Sequence, residues 1–234
     1  LFEDVDTVLH WHPSDRNSAN AETSLANKSA RFKFRGISSH AAAAPERGRS
    51  ALDGVEAMNY MINMMREHVP QETRIHYVIT QGGEAPNVVP DFAEVYYYVR
   101  HPQAEELQEL WERVTDISQA AALGTGTVVE VEVMHGNHSL LPNEKLSRQM
   151  HANLTRLGGI RYNAEEQAFA EEISSSLGVG DFVGMEKEIL RFELRQGMGS
   201  TDVGDVSWVV PTVGLRTSTW VPGTAPHSWQ AIAA

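Results

Sequence analysis

Two histidines of this sequence occupy positions where a metal ligand is expected. His12 follows a short apolar run that predicts a strand, and ligands gather at strand ends in α/β domains. His227 lies in a proline- and glycine-rich loop before a predicted helix. Neutral imidazole and carboxylate groups suit zinc, manganese and related divalent ions. From spacing alone, an ordinary loop or packing histidine is the alternative for each.

Three turns carry groups that could bind a substrate. His40 lies among small residues in the segment 36–45 (GISSHAAAAP), which leaves its imidazole accessible. Asn87 lies in the segment 82–90 (GGEAPNVVP), and Gly199 and Ser200 begin a Gly-Ser-Thr-Asp sequence. Each has a purely structural alternative interpretation: His40 as an ordinary loop histidine, Asn87 as part of a proline-flanked turn, and the Gly-Ser-Thr-Asp sequence as a helix cap.

Composition excludes several classes of protein. The 234 residues contain 19 Lys and Arg against 31 Asp and Glu, a net charge of −12, which argues against nucleic-acid or anionic-membrane partners. The absence of cysteine excludes disulfides, thiolate zinc sites and cysteine nucleophiles. Because no apolar run is long enough to span a membrane and no signal peptide opens the chain, the cytoplasm is the expected location.

The middle of the chain predicts the elements that would position these residues. Apolar periodicity indicates the order strand–helix–strand–strand–helix–strand. The strands are expected at residues 31–37, 75–79, 88–100 and 129–133, and the helices at 52–65 and 107–121. This β-α-β-β-α-β order is typical of the ferredoxin-like sandwich, in which two helices cover one face of an antiparallel sheet. The predicted fold class is therefore α+β.

The flanks of this pattern predict a second domain. Polar stretches at 15–28 and 135–142 predict loops or linkers and therefore domain boundaries. Beyond them the sequence predicts a strand at 5–9, helices starting after Asn143 and at 164–175, and buried strands at 206–210 and 212–216. We expect segments 1–27 and 137–234 to join as parts of one domain, with 28–136 inserted between them. Since the chain starts without methionine and ends in an apolar stretch, we expect it to be a piece of a longer protein.

In order and spacing, these segments resemble the M20 family of metal-dependent amidohydrolases and peptidases. Residues 36–51 and 82–94 are similar to the family's two lid motifs, and Arg100 lies at the family's arginine. Gly199–Asp202 is similar to a Gly-Ser-Glu-Asp loop, with Thr201 in place of the glutamate. His227-Ser228 is similar to the C-terminal histidine motif.

The resemblance implies a zinc-peptidase-like α/β catalytic domain that holds two divalent ions, manganese or zinc, and an inserted ferredoxin-like lid. It implies that His12 ligates one ion and His227 the other. His40 would act on the scissile carbonyl, and the groups that bind the substrate would be Asn87, Arg100, Gly199 and Ser200. The lid would pair with an identical or a related subunit, so that His40 and Asn87 reach the partner's active site.

The implied reaction is hydrolysis of p-aminobenzoyl-glutamate, or of a similar acyl amino acid, to release glutamate. A dipeptidase or aminoacylase of the same family is the nearest alternative, and a non-catalytic dimerisation or binding subunit is the alternative of a different class. The family's upstream metal motif and its Glu-Glu pair are absent, because the pairs at 105–106, 165–166 and 171–172 all fall in predicted helices. We therefore expect the general base and the other ligands before residue 1, and no activity from this chain alone.

Overall fold

The computed structural model describes residues 2–178, 180 and 182–233. The chain is of mixed α/β class with two sheets, and it divides into two compact units. Unit 1 comprises residues 1–23, 140–197 and 205–234, and unit 2 comprises residues 24–139 and 198–204. The segment 28–136 lies within unit 2, which residues 198–204 also join. Leu1 and Ala234, the outer bounds of the predicted domains, lie outside the described residues.

Seven strands and six helices make up the regular structure of the described residues. The strands are β1 (Val8–Ser14), β2 (Ser18–Asn20), β3 (Ala26–Arg35), β4 (Arg74–Gln81), β5 (Phe92–His101), β6 (Val128–Asn137) and β7 (Thr212–Ser218). The helices are α1 (Ala51–Met65), α2 (Ala104–Thr125), α3 (Glu144–Leu157), α4 (Ala164–Ser176), α5 (Val203–Ser207) and α6 (Trp229–Ala233). None of them is a helix long and apolar enough to cross a membrane.

Unit 2 contains an antiparallel sheet in the order β4-β5-β3-β6. Alternate residues of the two central strands are fully buried and pack against one face of α1 and of α2, because successive strand residues point to opposite sides. The buried strand residues include Phe32, Phe34, Val95, Tyr97 and Val99. The predicted strands and helices are present here, although β3 begins at Ala26 rather than at residue 31.

The opposite face of this sheet, which we call the free face, carries charged and hydroxyl side chains. Arg31 pairs with Glu94 at 2.9 Å, and Lys33 pairs with Glu132 at 2.8 Å. The register sets Tyr96, Tyr98 and Arg100 on the same face. Polar groups therefore form a continuous surface on the side away from the helices.

Unit 1 contains a three-stranded sheet in the order β1-β7-β2, with β1 parallel and β2 antiparallel to β7. The helix after Pro142 is confirmed, and the Asn143 side chain accepts a hydrogen bond from the Leu146 amide at 3.1 Å. The apolar core is small: Ala170, Ile173 and Val221 form its buried cluster. Large apolar side chains are exposed, among them Leu9, Trp11, Leu157, Val209, Trp229 and Ile232.

Three predictions about the flanks are wrong. Residues 206–210 are not a strand: α5 ends at Ser207 within them, because a short apolar run does not distinguish a buried strand from a helical turn. The first strand spans residues 8–14 rather than 5–9, so His12 lies inside it and not beyond its end. The polar stretch 15–28 is not a linker, since it contains β2 and the start of β3.

Candidate functional site

Two loops at one end of unit 2 bring His40 and Asn87 together. The loop after β3 and the loop before β5 are joined by backbone hydrogen bonds: the Ala41 amide donates to the Asn87 carbonyl at 3.0 Å. The Val89 amide donates to the Ser39 carbonyl at 2.9 Å, and His40 pairs with Val88 in an isolated bridge. We call this pair of loops the lid tip, defined by residues 36–49 and 82–90.

The local turn at His40 defines which nitrogen of its ring carries a proton. The backbone amides of Ala42 and Ala43 both donate to His40 Nδ1, at 3.2 and 3.1 Å. A nitrogen that accepts two hydrogen bonds cannot itself carry a proton, so the neutral ring has its N–H at Nε2. The side chain is exposed, and this N–H is therefore free to donate to a ligand.

Asn87 lies on the loop that is paired with the loop of this histidine. Its residue is exposed, and within the part of the chain that the structure describes its side-chain amide forms no hydrogen bond. A groove of about 440 Å³ lies next to it, lined by residues of both loops and by the start of α1, among them Ala41, Ser50, Leu52, Gly83, Pro86 and Val88. The lid tip thus offers an N–H donor and an amide at the edge of a groove.

Arg100, Gly199 and Ser200 lie at the other end of the same sheet. Phe92, the first residue of β5, pairs with Arg35 next to the lid tip, and Arg100 lies eight residues further along. At roughly 3.3 Å per residue the separation is about 26 Å. The structure therefore divides the predicted substrate-binding residues of unit 2 into two groups.

We call the second group the sheet base, where residues 198–204 meet the strands. The Leu25 amide donates to the Gly199 carbonyl at 2.7 Å, and the Asn137 side-chain amide donates to the Thr201 carbonyl at 3.0 Å. Asn27 pairs with Arg100 on one side and with Asn137 on the other. Three buried polar atoms lack a hydrogen bond within the described residues: Arg100 Nε, Ser200 Oγ and Asn27 Oδ1.

Two further residues of the sheet base were not predicted. The Tyr98 hydroxyl lies 2.7 Å from His135 Nε2 and 3.3 Å from the Tyr96 hydroxyl. Hydrogen bonding to Tyr96, followed by burial, raises the pKa of Tyr98. The consecutive tyrosines at 96–98 predicted only a strand, since nothing in the sequence reveals that β6 places His135 beside them.

In unit 1, His12 is oriented by its own strand. His12 Nδ1 lies 2.6 Å from the Pro13 carbonyl, to which it donates, so Nε2 is the ring nitrogen that remains for a ligand, and the residue is exposed. His10 lies two residues earlier and therefore on the same face of β1. Burial lowers the pKa of His10, and the neighbouring His12 and Arg216 lower it further. Metal-ligating histidines commonly have one ring nitrogen held by a backbone carbonyl in this way, with the other directed at the metal.

His227 lies, as predicted, in the loop before the last helix. It is exposed and has a φ of 62°, the left-handed region that few residues other than glycine adopt. Across residues 2–178, 180 and 182–233, no group of three or more His, Asp or Glu side chains could hold a metal ion. The donors that these residues supply are therefore insufficient for a complete divalent site, which takes at least three protein ligands.

Comparison with known proteins identifies the family to which this chain is related. The family described as the peptidase dimerisation domain of the M20 group matches residues 26–125. The chain is 36% identical to a subunit of the p-aminobenzoyl-glutamate hydrolase of Escherichia coli, over 99% of this chain and 54% of the relative. It is 32% identical to the Xaa-Arg dipeptidase of Mus musculus, over 91% of this chain and 43% of the relative.

A solved structure shares the fold. The aminobenzoyl-glutamate utilization protein of Klebsiella pneumoniae superposes with a TM-score of 0.58 at 17% sequence identity, and the alignment covers 99% of this chain and 53% of that one. The chain thus spans about half the length of the curated relatives and of this structure.

Proposed function

Because the chain belongs to the M20 family, whose dimerisation domain it carries at residues 26–125, we propose that it forms part of a metal-dependent amidohydrolase. The substrate class is an acyl amino acid, and the reaction is the cleavage of p-aminobenzoyl-glutamate to p-aminobenzoate and glutamate. The similarity to the p-aminobenzoyl-glutamate hydrolase of Escherichia coli over 99% of the chain supports this substrate over the alternatives. The proposed location is the cytoplasm.

One observation carries the proposal: two backbone amides hold the ring of His40 at the lid tip by its Nδ1 atom. They orient the ring and leave Nε2 as the nitrogen that can donate to a ligand. Amide hydrolysis develops negative charge on the carbonyl oxygen, and a positioned N–H donor stabilises that charge. Asn87, joined to the same loop, would donate its side-chain amide to a carboxylate of the substrate.

We propose that unit 2 is the ferredoxin-like lid and dimerisation domain. The strand order β4-β5-β3-β6 with both helices on one face supports this arrangement. Edge strand β4 exposes Tyr77, Val78 and Ile79, which leaves an apolar edge for a second lid. The partner is an identical or a related subunit, and the lid tip would act in the partner's active site.

We propose that unit 1 contributes to the catalytic domain. His12 would ligate one of two divalent ions, manganese or zinc, and His227 the other. When bound, such ions supply an activated water at neutral pH. Since the described residues do not complete either site, the further ligands and the general base would come from the half of such an enzyme that this chain does not span.

The sheet base would serve the substrate in a different way from the lid tip. Arg100 lies about 26 Å along β5 from Phe92, the residue at the lid-tip end of that strand, at roughly 3.3 Å per residue. One small substrate cannot span that distance. If both groups act on one molecule, they must therefore belong to different subunits of the dimer.

The test is a hydrolysis assay on the whole enzyme that contains this chain. With manganese or zinc present, p-aminobenzoyl-glutamate should be cleaved and p-aminobenzoate released, and a chelator should abolish the release. Peptides that end in arginine serve as the comparison, because the relative from Mus musculus is a Xaa-Arg dipeptidase. Faster cleavage of those peptides would favour the dipeptidase alternative, and no cleavage of either would favour a non-catalytic subunit.

A further inference from the structure

A β-bulge in β6 turns His135 onto the free face of unit 2. Ala30 of β3 pairs with Val133, but Ser29 pairs with His135, so Met134 is an extra residue without a partner on β3. Because side chains alternate between the two faces of a strand, His135 would face the helices if this residue were absent. Bulges that redirect a side chain are common next to functional sites. The bulge therefore gives the free face a histidine that a regular strand would not place there.

His135 meets Tyr98 across the central strand of the sheet. Ser29 of β3 pairs with Tyr98 on one side and with His135 on the other. The Tyr98 hydroxyl lies 2.7 Å from His135 Nε2, and the centres of the two rings are 5.1 Å apart. Ser29 between them is fully buried, whereas His135 is exposed. The two outer side chains thus close over the small residue of the central strand and hold each other at their tips.

The Tyr98 hydroxyl is fixed from two sides. It accepts a hydrogen bond from the Tyr96 hydroxyl at 3.3 Å, and it has His135 Nε2 as its second partner. A phenol both donates and accepts, so the two contacts are compatible. Hydrogen bonding to Tyr96, followed by burial, raises the pKa of Tyr98, so the phenol keeps its proton at neutral pH. The ring of Tyr98 is therefore held at its far end as well as at the backbone.

The face of the Tyr98 ring carries the guanidinium of Arg100. The distance from the guanidinium carbon to the ring centre is 5.2 Å, within the range of an attractive cation–π contact. The neighbouring Arg31 stacks on Tyr96 in the same way, at 5.5 Å, but it is also held by an ion pair with Glu94. Arg100 has no ion pair among the described residues, and its buried Nε has no hydrogen-bond partner there. The orientation of its guanidinium thus depends on the position of the Tyr98 ring.

We propose that His135 is a positioning residue: through the Tyr98 hydroxyl it holds the guanidinium of Arg100 in the orientation that binds substrate. A long side chain that is ordered before binding loses less conformational entropy when the ligand arrives. Loss of the contact should therefore weaken substrate binding without altering the bond-breaking step. The inference rests on the proposed function, in which Arg100 binds the substrate, and adds to it two residues, Tyr98 and His135, that need not touch the substrate.

The first experiment measures steady-state hydrolysis of p-aminobenzoyl-glutamate by the whole enzyme that contains this chain. His135→Ala and Tyr98→Phe each remove the contact and should raise KM by about 2- to 10-fold, the scale of ordering one long side chain, with kcat unchanged. His135→Gln keeps a polar group at similar reach and should restore part of the loss. The matched control is His76→Gln, since His76 of β4 also pairs with Tyr98 but is not among the hydrogen-bond partners that the structure shows for its hydroxyl. It should keep the wild-type KM.

The variants are then combined to show that the effect passes through Tyr98 and Arg100. His135→Ala with Tyr98→Phe should raise KM no more than either change alone, because both remove the same contact. In an Arg100→Ala background, His135→Ala should have no further effect on KM, whereas a histidine that itself touched the substrate would keep its full effect. A general structural role would instead lower kcat and the unfolding midpoint together with the affinity.

The second experiment follows the Arg100 Nε–H by NMR relaxation in the 234-residue chain, which requires no activity. The group should become more mobile in His135→Ala and Tyr98→Phe but not in His76→Gln. Unchanged KM in both contact variants, a full effect of His135→Ala in the Arg100→Ala background, or unchanged Arg100 mobility would each overturn the proposal. If the wild-type enzyme cleaves no p-aminobenzoyl-glutamate, the proposed function fails, and the relaxation data alone still decide whether His135 positions Arg100.

Discussion

At the residue scale, the turn that holds His40 Nδ1 also determines which ring nitrogen can act on a substrate. Replacing it with alanine removes the Nε2 donor, so kcat of the whole enzyme should fall by about 10²-fold or more, the usual cost of losing one oxyanion donor. Metal content should not change, because His40 belongs to unit 2, whereas His12 and His227 belong to unit 1. Steady-state kinetics and elemental analysis of the variant check both statements.

The control for His40 is another exposed histidine of unit 2. His68 lies at the end of a short 3-10 turn after α1, outside the lid tip, and His68→Ala should keep wild-type kcat. Loss of metal from His40→Ala would reassign the residue as a ligand, and an unchanged kcat would remove it from the mechanism.

His76 makes the stability of unit 2 depend on pH. Its pKa in the fold is lowered from 6.5, first by burial and then by the three arginines. The unfolded chain therefore takes up the proton first as the pH falls. Above about pH 6.5 His76 is neutral in both states and costs no stability, and below that pH its protonation in the unfolded chain lowers the stability of the fold. His76→Gln should flatten the fall in unfolding midpoint between about pH 7.5 and about pH 5.5. Arg74→Gln should flatten it in part, and an unaltered pH profile in both variants would contradict the assignment.

The orientation of the predicted site residues cannot be derived from the sequence. The small residues around His40 indicated an accessible ring, yet the tautomer depends on two amides of a turn that only coordinates reveal. The conformation of His227, with its φ of 62°, was equally hidden.

At the scale of elements, Gly36 is the point where β3 turns into the lid tip. A Cβ there would collide with the Arg49 carbonyl, which accepts a hydrogen bond from Ile37 at 2.8 Å and holds the loop in place. Gly36→Ala should cost about 2 kcal/mol of folding stability and displace the loop that bears His40. Gly124→Ala is the control: a Cβ there meets no atom within 4 Å and should stabilise α2 by about 0.5 to 1 kcal/mol. Denaturant unfolding of both variants checks the contrast, and similar shifts would contradict it.

Sequence periodicity predicted best the elements in which apolar residues recur along one face over a long stretch of chain. α1 and α2 bury the apolar faces that the spacing indicated, and β6 was placed within a few residues. The predicted strand at 206–210 is wrong because five residues are too few to distinguish the two-residue alternation of a strand from the 3.6-residue repeat of a helix. β2 was missed because its three residues, Ser-Ala-Asn, are polar or small and owe their strand conformation to pairing with β7.

At the scale of the whole molecule, the apolar edge of β4 should determine assembly. We expect residues 24–139 to fold independently and to dimerise, because this segment contains the complete sheet and both covering helices. Val78→Lys places a charge on β4 and should weaken the dimer by about tenfold or more. Val128→Lys, on the opposite edge strand, should not weaken it, although Val128 is 69% exposed against 55% for Val78. Sedimentation of the three proteins distinguishes the two edges, and a wild-type monomer at high concentration would remove the dimer from the proposal.

The last prediction concerns the 234-residue chain as a single protein. We expect it to show no hydrolase activity and to bind divalent metal weakly. His12 and His227 are its proposed ligands, each for a different ion, and the described residues contain no cluster of three or more ligating side chains. One imidazole per ion cannot compete with water, and the Glu-Glu pairs of the chain lie within α2 and α4 rather than in a loop at a metal site.

Calorimetric titration of this chain with zinc or manganese, paired with an assay for p-aminobenzoate, decides the matter. Binding should be weak and no product should form, whereas the whole enzyme should bind metal and cleave the substrate. His12→Ala and His227→Ala should change little in the chain alone but should each reduce metal content and activity in the whole enzyme. Sub-micromolar metal binding with product release by the 234 residues would contradict the prediction, and the search for ligands would then turn to His10, which shares a strand face with His12.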